Sequence, residues 1–172
     1  TSFFERLYML NIQISPLAAE TFKSFGDVIA LRDIPDKIIN QGLCGRHHNL
    51  ARMDFGLNGI AGISLFDAKQ RSLPYKLDMM ERHPEGSQAF LPMSQNPFLV
   101  IVAPDNDGKP GTPMAFKTAP GEGVNYHINT WHGVLTPLFR PGLFAVIDRI
   151  GSSQNLEEYW FKTPITISGD AS

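Results

Sequence analysis

Tyr75-Lys76-Leu77-Asp78-Met79-Met80-Glu81-Arg82, His83-Pro84-Glu85-Gly86, Gln88-Ala89-Phe90-Leu91-Pro92-Met93 and Phe98-Leu99-Val100-Ile101-Val102 follow one another as short runs broken by turn residues. Runs of this length bounded by Pro and Gly read as β-strands. The pattern continues outward in both directions. Val28–Leu31, Ala51–Phe55 and Gly62–Phe66 precede it, and Met114–Thr118, Gly123–His127, Thr136–Phe139 and Leu143–Ile147 follow. Pro35-Asp36, Asn58-Gly59, Asp105-Asn106-Asp107-Gly108, Pro120-Gly121 and Pro141-Gly142 mark turns between them. At the start, Leu10-Asn11-Ile12-Gln13-Ile14 alternates apolar and polar residues, as a half-buried strand should. Ser15-Pro16 then offers a helix start and Gly26 a stop, with Leu17, Phe22 and Phe25 facing a core. Many short strands and one short N-terminal helix predict an all-β sandwich or barrel.

A chain of 172 residues suits one domain. That domain is expected over residues 9–172. Residues 1–8 lack the pattern of a signal peptide and precede a natural start at Met9, so they are expected to be an added leader. Fifteen basic against seventeen acidic residues leave a net charge of −2, which argues against a nucleic-acid or membrane-surface partner. The longest apolar run, Phe98 to Ala103, is too short to span a bilayer. Cys44 is the single cysteine, so no internal disulfide is possible and a reducing cytoplasm is the expected compartment.

All five histidines fall in three places: His47-His48, His83, and His127 with His132. Two positions apart on a strand means the same face, so Glu81 and His83 are expected to point into one cavity. Gln88 lies beyond the turn, where a returning strand aims it at the same point. In the second cluster, Gly121 to His132, a strand leads into a tight turn and His132 starts the next strand. Tyr126 and His127 are strand neighbours, so only one of them can face the cavity unless a bulge intervenes.

These segments resemble the two motifs of the cupin superfamily, a double-stranded β-helix or jelly-roll barrel. Glu81-x-His83 occupies the places of that family's His-x-His, Gln88 the place of its Glu, and His132 the place of its last metal ligand. Glu81 and Gln88 are departures, and His127 and Asn129 stand where Pro and Gly usually fall. A closer resemblance is to the ureidoglycolate lyase family, formerly called hydrolases. It rests on Phe25-Gly26-Asp27-Val28-Ile29, on Glu81 to Pro92, and on Gly123-Val124-Asn125-Tyr126-His127. Trp131-His132 and Ile147-Asp148-Arg149-x-Gly151-Ser152 complete it, from Met9 to about Phe161. The resemblance implies a cupin-fold homodimer that cleaves (S)-ureidoglycolate to glyoxylate and urea in allantoin and purine breakdown. Asp67 stands where relatives often carry Arg, so Lys69 or Arg71 would have to substitute there.

The chemistry implied is an elimination, which needs a base, an acid and a cation for the substrate carboxylate. Glu81, His83, Gln88 and His132 form an O/N set suited to a divalent ion such as nickel, manganese or zinc, the resemblance implies nickel first, and no organic cofactor is required. His83, His132 and Glu81 are expected to serve as ligands or in proton transfer, with Tyr126 or His127 as the acid. His132 is expected to face a solvated cavity. Arg46, beside His48, is the expected carboxylate clamp, although a solvated loop is an equally good reading of that segment. Trp131 reads as core or rim first and as ligand wall second, and Asp148-Arg149 as a rim ion pair or a substrate contact. Two rivals remain: another metal-dependent cupin enzyme acting on a small acid, and a non-catalytic small-molecule-binding cupin.

Overall fold

The computed structural model describes residues 9–172, and the expected leader lies outside the described residues. The elements in order are β1 (Asn11–Pro16), α1 (Ala19–Phe22), β2 (Gly26–Ile29), β3 (Lys37–Ile39), β4 (Cys44–Arg46), β5 (Ile60–Asp67), β6 (Tyr75–Arg82), β7 (Gln88–Pro92) and β8 (Phe98–Ala103). There follow β9 (Asp105–Asn106), β10 (Lys109–Pro110), β11 (Met114–Lys117), β12 (Gly123–Tyr126), β13 (Trp131–His132), β14 (Thr136–Pro137), β15 (Leu143–Ile150) and β16 (Glu157–Ser168). A single four-residue helix amid strands bears out the all-β expectation.

One sheet runs β11-β1-β16-β6-β13-β8-β14, and pairing of β11 with β8 closes it into a barrel of mixed strand direction. A second sheet, β2-β12-β7-β15-β5, packs against it. Between the two lies one core cluster, built on Phe22, Phe90, Phe98, Val100, Val102, Val124 and Val146. A second cluster, including Leu77, Met80, Leu99, Ile101, Trp131 and Ile167, fills the closed sheet. Alternate residues of β8 serve the two clusters, which is why Phe98–Ala103 is apolar at every position and buried throughout.

The helix expected from Ser15-Pro16 starts later than predicted. Pro16 instead continues β1 in parallel register opposite Lys117, and Leu17 N donates to Lys117 O before the chain turns. Leu17, Phe22 and Phe25 are nonetheless buried as expected. Ala51–Phe55 forms no strand. Its backbone finds side-chain partners instead, Arg52 N donating to Asp27 Oδ2 and Asp54 N to Ser87 Oγ. The longest strand, β16, was not among the expected ones, because Pro164 interrupts its pattern and its pairing with β6 shifts register between Trp160 and Ile165.

Candidate active site

Register brings two rows of side chains together at one end of the space between the sheets. In the second sheet Gly62, Asp148, Gln88, Tyr126 and Gly26 are cross-strand partners in one line. They share the face of the row Val146, Phe90 and Val124, two residues further along, which lies in the core cluster between the sheets. Gly26 keeps the end of the row close, since a Cβ there would overlap the Asn125 backbone. In the closed sheet His132 pairs with Glu81 on one side and with Val102 on the other. His83 follows just beyond β6.

Glu81, His83 and His132 each offer a ligand atom within 4.8 Å of the others. The His83 and His132 rings lie 5.3 Å apart, and Tyr126 stacks on His132 at 4.2 Å and 4°. His83 Nδ1 stands 2.7 Å from Asn155 O, and His132 Nδ1 stands 2.9 Å from Gly133 O. A carbonyl only accepts, so each Nδ1 holds the proton and donates. In a neutral ring so oriented, Nε2 carries the lone pair. Both Nε2 atoms are buried without a hydrogen-bond partner, and so is Gln88 Oε1, whose amide nitrogen donates to Asp148 Oδ2 at 3.0 Å. Unpartnered buried acceptors are rare, and imidazoles oriented through Nδ1 are the usual form of a metal-ligating histidine. The donor set fits a divalent ion with mixed O/N preference.

Electrostatics matches the geometry. Burial, with His83 close by, pushes the pKa of His132 down to about 3, so the ring stays neutral near pH 7. Burial raises Glu81; His83 opposes this, and the facing carboxylate of Glu158 adds to it. Burial, reinforced by Glu81, lifts the Tyr126 phenol above its ordinary value and keeps it protonated. His132 is 1% exposed, so the expected solvated position is corrected.

Other predicted residues lie apart from this group. His127, next to Tyr126, takes the opposite side, and its Nε2 is 3.0 Å from Asp27 Oδ2. Trp131 is buried in the cluster that fills the closed sheet, with Nε1 donating to Asp105 and Arg82 over its ring. Arg149 forms no ion pair with Asp148, which accepts from Gln88 instead; its guanidinium donates to Leu57 O at 3.0 Å. A Cβ on Gly86 would come within 2.7 Å of Arg149 Cβ, so the turn leading to Gln88 rests directly on that side chain. Arg46 and His48 are exposed, 2.9 Å apart (Nη2 to Nδ1). Asp67 pairs with Leu143, five residues along β15 from Asp148 and so about 17 Å away. The strands carrying the site, β6, β7, β12, β13 and β15, hold three basic side chains. Lys76 bonds Thr166 and Arg82 pairs with Asp105 and Glu157, while Arg149 donates through Nη2 to Leu57 O and its buried Nε has no partner.

Sequence reasoning missed Asp148 as the partner of Gln88, and Asn155 and Glu158 as neighbours of His83 and Glu81. Asp148 was legible as part of a quoted family string. Asn155 had no signal, because its backbone carbonyl is the contact.

Comparison with known proteins gives matches over nearly the whole chain. The family model described as ureidoglycolate lyase matches residues 9–168. A ureidoglycolate lyase of Rhodobacter capsulatus is 57% identical over 161 residues, covering 94% of this chain and 100% of the relative. Ureidoglycolate lyase 2 of Rhizobium meliloti is 49% identical, over 92% of this chain and 98% of the relative. A ureidoglycolate lyase of Chelativorans sp. is 47% identical, over 92% and 97%. The match spans both sheets and every residue of the interior group, and the chain belongs to the ureidoglycolate lyase family.

Proposed function

We propose that this chain is a carbon–nitrogen lyase that splits (S)-ureidoglycolate into glyoxylate and urea, in the breakdown of allantoin in the cytoplasm. The observation that carries the reading is the coincidence of two things: near-full-length identity to proteins named for this reaction, and an interior carboxylate–imidazole group with three unpartnered acceptors. A homodimer belongs to the same reading. The outward face of the second sheet supports it, carrying Ile63, Leu65, Leu91, Ala145 and Ile147, with Ile63 77% and Leu65 64% exposed.

The substrate carbon bears a hydroxyl, a carboxylate and the urea nitrogen. Loss of the hydroxyl proton forms the glyoxylate carbonyl as the C–N bond breaks and the urea nitrogen gains a proton. Glu81, made more basic by burial, takes the hydroxyl proton. Tyr126, protonated beside it, donates to the departing nitrogen. His83 and His132, fixed through Nδ1, would hold a divalent ion together with Gln88 Oε1, and Glu81 is either a further ligand or the base for the hydroxyl proton. Nickel is preferred over manganese or zinc, and the ion would lower the hydroxyl pKa and neutralise developing charge.

The test is glyoxylate release by the purified protein from each ureidoglycolate enantiomer, before and after chelation. Release from the (S) form alone, lost with EDTA and restored by nickel, is the expected result. No glyoxylate from either enantiomer removes the reading, and undiminished activity in metal-stripped protein removes the ion from it. Oxygen uptake with small acids in place of cleavage would favour a cupin oxygenase.

A further inference from the structure

The proposed substrate is an anion, and on the strands that build the site Lys76 and Arg82 are taken up by Thr166, Asp105 and Glu157, while Arg149 is held to Leu57 O through Nη2 with its Nε unpartnered. A second set of cations stands elsewhere. Strands β3 and β4 form an exposed two-stranded hairpin, separate from both sheets, in which Lys37 lies directly opposite Arg46. Like charges in that relation destabilise a hairpin, and a lone hairpin is marginal in water to begin with. Neither cation has a carboxylate within 4.0 Å among the described residues, and Arg46 Nη2 meets the ring nitrogen Nδ1 of His48 at 2.9 Å. Leu31, Ile34, Ile38 and Leu43, in and around the hairpin, are exposed too. The mouth of the interior site shows the converse. There Glu81 lies directly opposite Glu158, a like-charge pair of the other sign.

Within one protomer the two pairs are kept apart. Strand β2 begins at Gly26 opposite Tyr126 and ends at Ile29 opposite Gly123, so the hairpin leaves from the end about 10 Å from the site row. The chain returns on the outward side of that sheet, where Asn125 Nδ2 donates to Arg52 O. The segment that carries Arg46 thus leaves at the far end of β2 and returns at Arg52 on the side of the sheet away from the interior group. A two-fold axis lying in the outward apolar face and running across the strands would reverse strand direction, setting the Ile29 end of one protomer beside the Tyr126 end of the other.

We propose that Arg46 works in trans: the β3–β4 hairpin of one protomer crosses to the mouth of its partner's barrel, where Lys37 meets Glu158 of the partner subunit and Arg46 grips the substrate carboxylate. The proposal rests on the dimer and on an anionic substrate. It relieves both like-charge pairs at once and supplies the planar, bidentate cation that a carboxylate selects.

Mixed dimers test it. Arg46→Ala and His132→Ala should each lower kcat/KM by about a hundredfold or more as homodimers. Co-expressed and purified as the mixture, they should recover about a quarter of parental activity, because half the dimers then hold one complete site. Activity no higher than that of the separate variants, in preparations where mass spectrometry shows mixed dimers, overturns the proposal. So does full activity in Arg46→Ala. A second measurement needs no substrate. Cys44 is exposed on the same hairpin, so Glu158→Cys treated with a short bismaleimide should give a cross-linked dimer that disappears in Cys44→Ser/Glu158→Cys. A monomer-sized product, or a dimer indifferent to Cys44, overturns the crossing. A Cys44-dependent cross-link in Glu158→Cys, together with a parent protein that releases no glyoxylate, would leave the crossing intact and remove the substrate assignment.

Discussion

Tyr126 and His127 are adjacent, yet they belong to two histidine–carboxylate clusters in opposite circumstances. On the outward side, Asp27 Oδ2 accepts from Arg52 N, Asn125 Nδ2 and His127 Nε2 at 2.8–3.0 Å. Although burial pushes Asp27 up, these hydrogen bonds outweigh it and hold its pKa below the ordinary value. On the inward side, His83, His132 and Gln88 each present an acceptor with nothing to accept from. A network that satisfies its members rigidifies a fold, whereas acceptors left open in a buried site are waiting for a ligand. Composition does not separate the two clusters; the outward imidazole and carboxylate bond each other, with Asn125 Oδ1 left open beside them, whereas both inward imidazoles are open at Nε2.

The largest expected effect falls on the inward cluster. His83→Gln should lower kcat/KM for glyoxylate release by about a thousandfold, with circular dichroism and melting close to the parent's. Normal turnover would make the open acceptors incidental and collapse the distinction. The outward cluster should behave the other way round. Asp27→Ala leaves three donors without their acceptor and should lower unfolding free energy by about 2–3 kcal/mol in urea titrations. Folded protein should keep kcat/KM within about threefold, and a selective loss of activity would move Asp27 into the catalytic machinery.

The smallest effect sharpens the contrast through pH. His132 has an ordinary pKa of 6.5, pushed down to about 3 by burial. Below about 6.5 the unfolded chain takes up a proton that the folded chain refuses, so metal-free protein should lose stability as pH falls. One such group contributes at most about 1.4 kcal/mol per pH unit. His132→Gln should flatten the slope between pH 6.5 and 5 in urea titrations. An unchanged slope would mean that the ring is protonated in the folded state.

Much of this was legible in the sequence where local chemistry and local structure coincide. Glu81 and His83 were expected on one face from their spacing, and that face is shared. Gln88 was expected to return toward them, and the structure sets it on the facing sheet in line with Tyr126, which stacks on His132. Partnership across long separations was not legible. That His127 serves Asp27, one hundred residues away, depends on which strand lies beside β12. The burial of His132 escaped for the same reason, because Tyr126 covers it from another strand. Strand β16 escaped through its irregular pairing, although it contacts Glu81 through Glu158.

The shared wall β8 has a consequence for how the molecule comes apart. Phe98, Val100 and Val102 anchor one cluster while Leu99, Ile101 and Ala103 anchor the other. Neither core can melt without stripping the strand that holds the second. The two layers should therefore open in a single cooperative step, with the amides of β8 among the last to exchange with deuterated solvent. A one-residue deletion within Phe98–Ala103 would swap the residues presented to each side, sending the aromatic ring of Phe98 toward the space now shaped for Leu99.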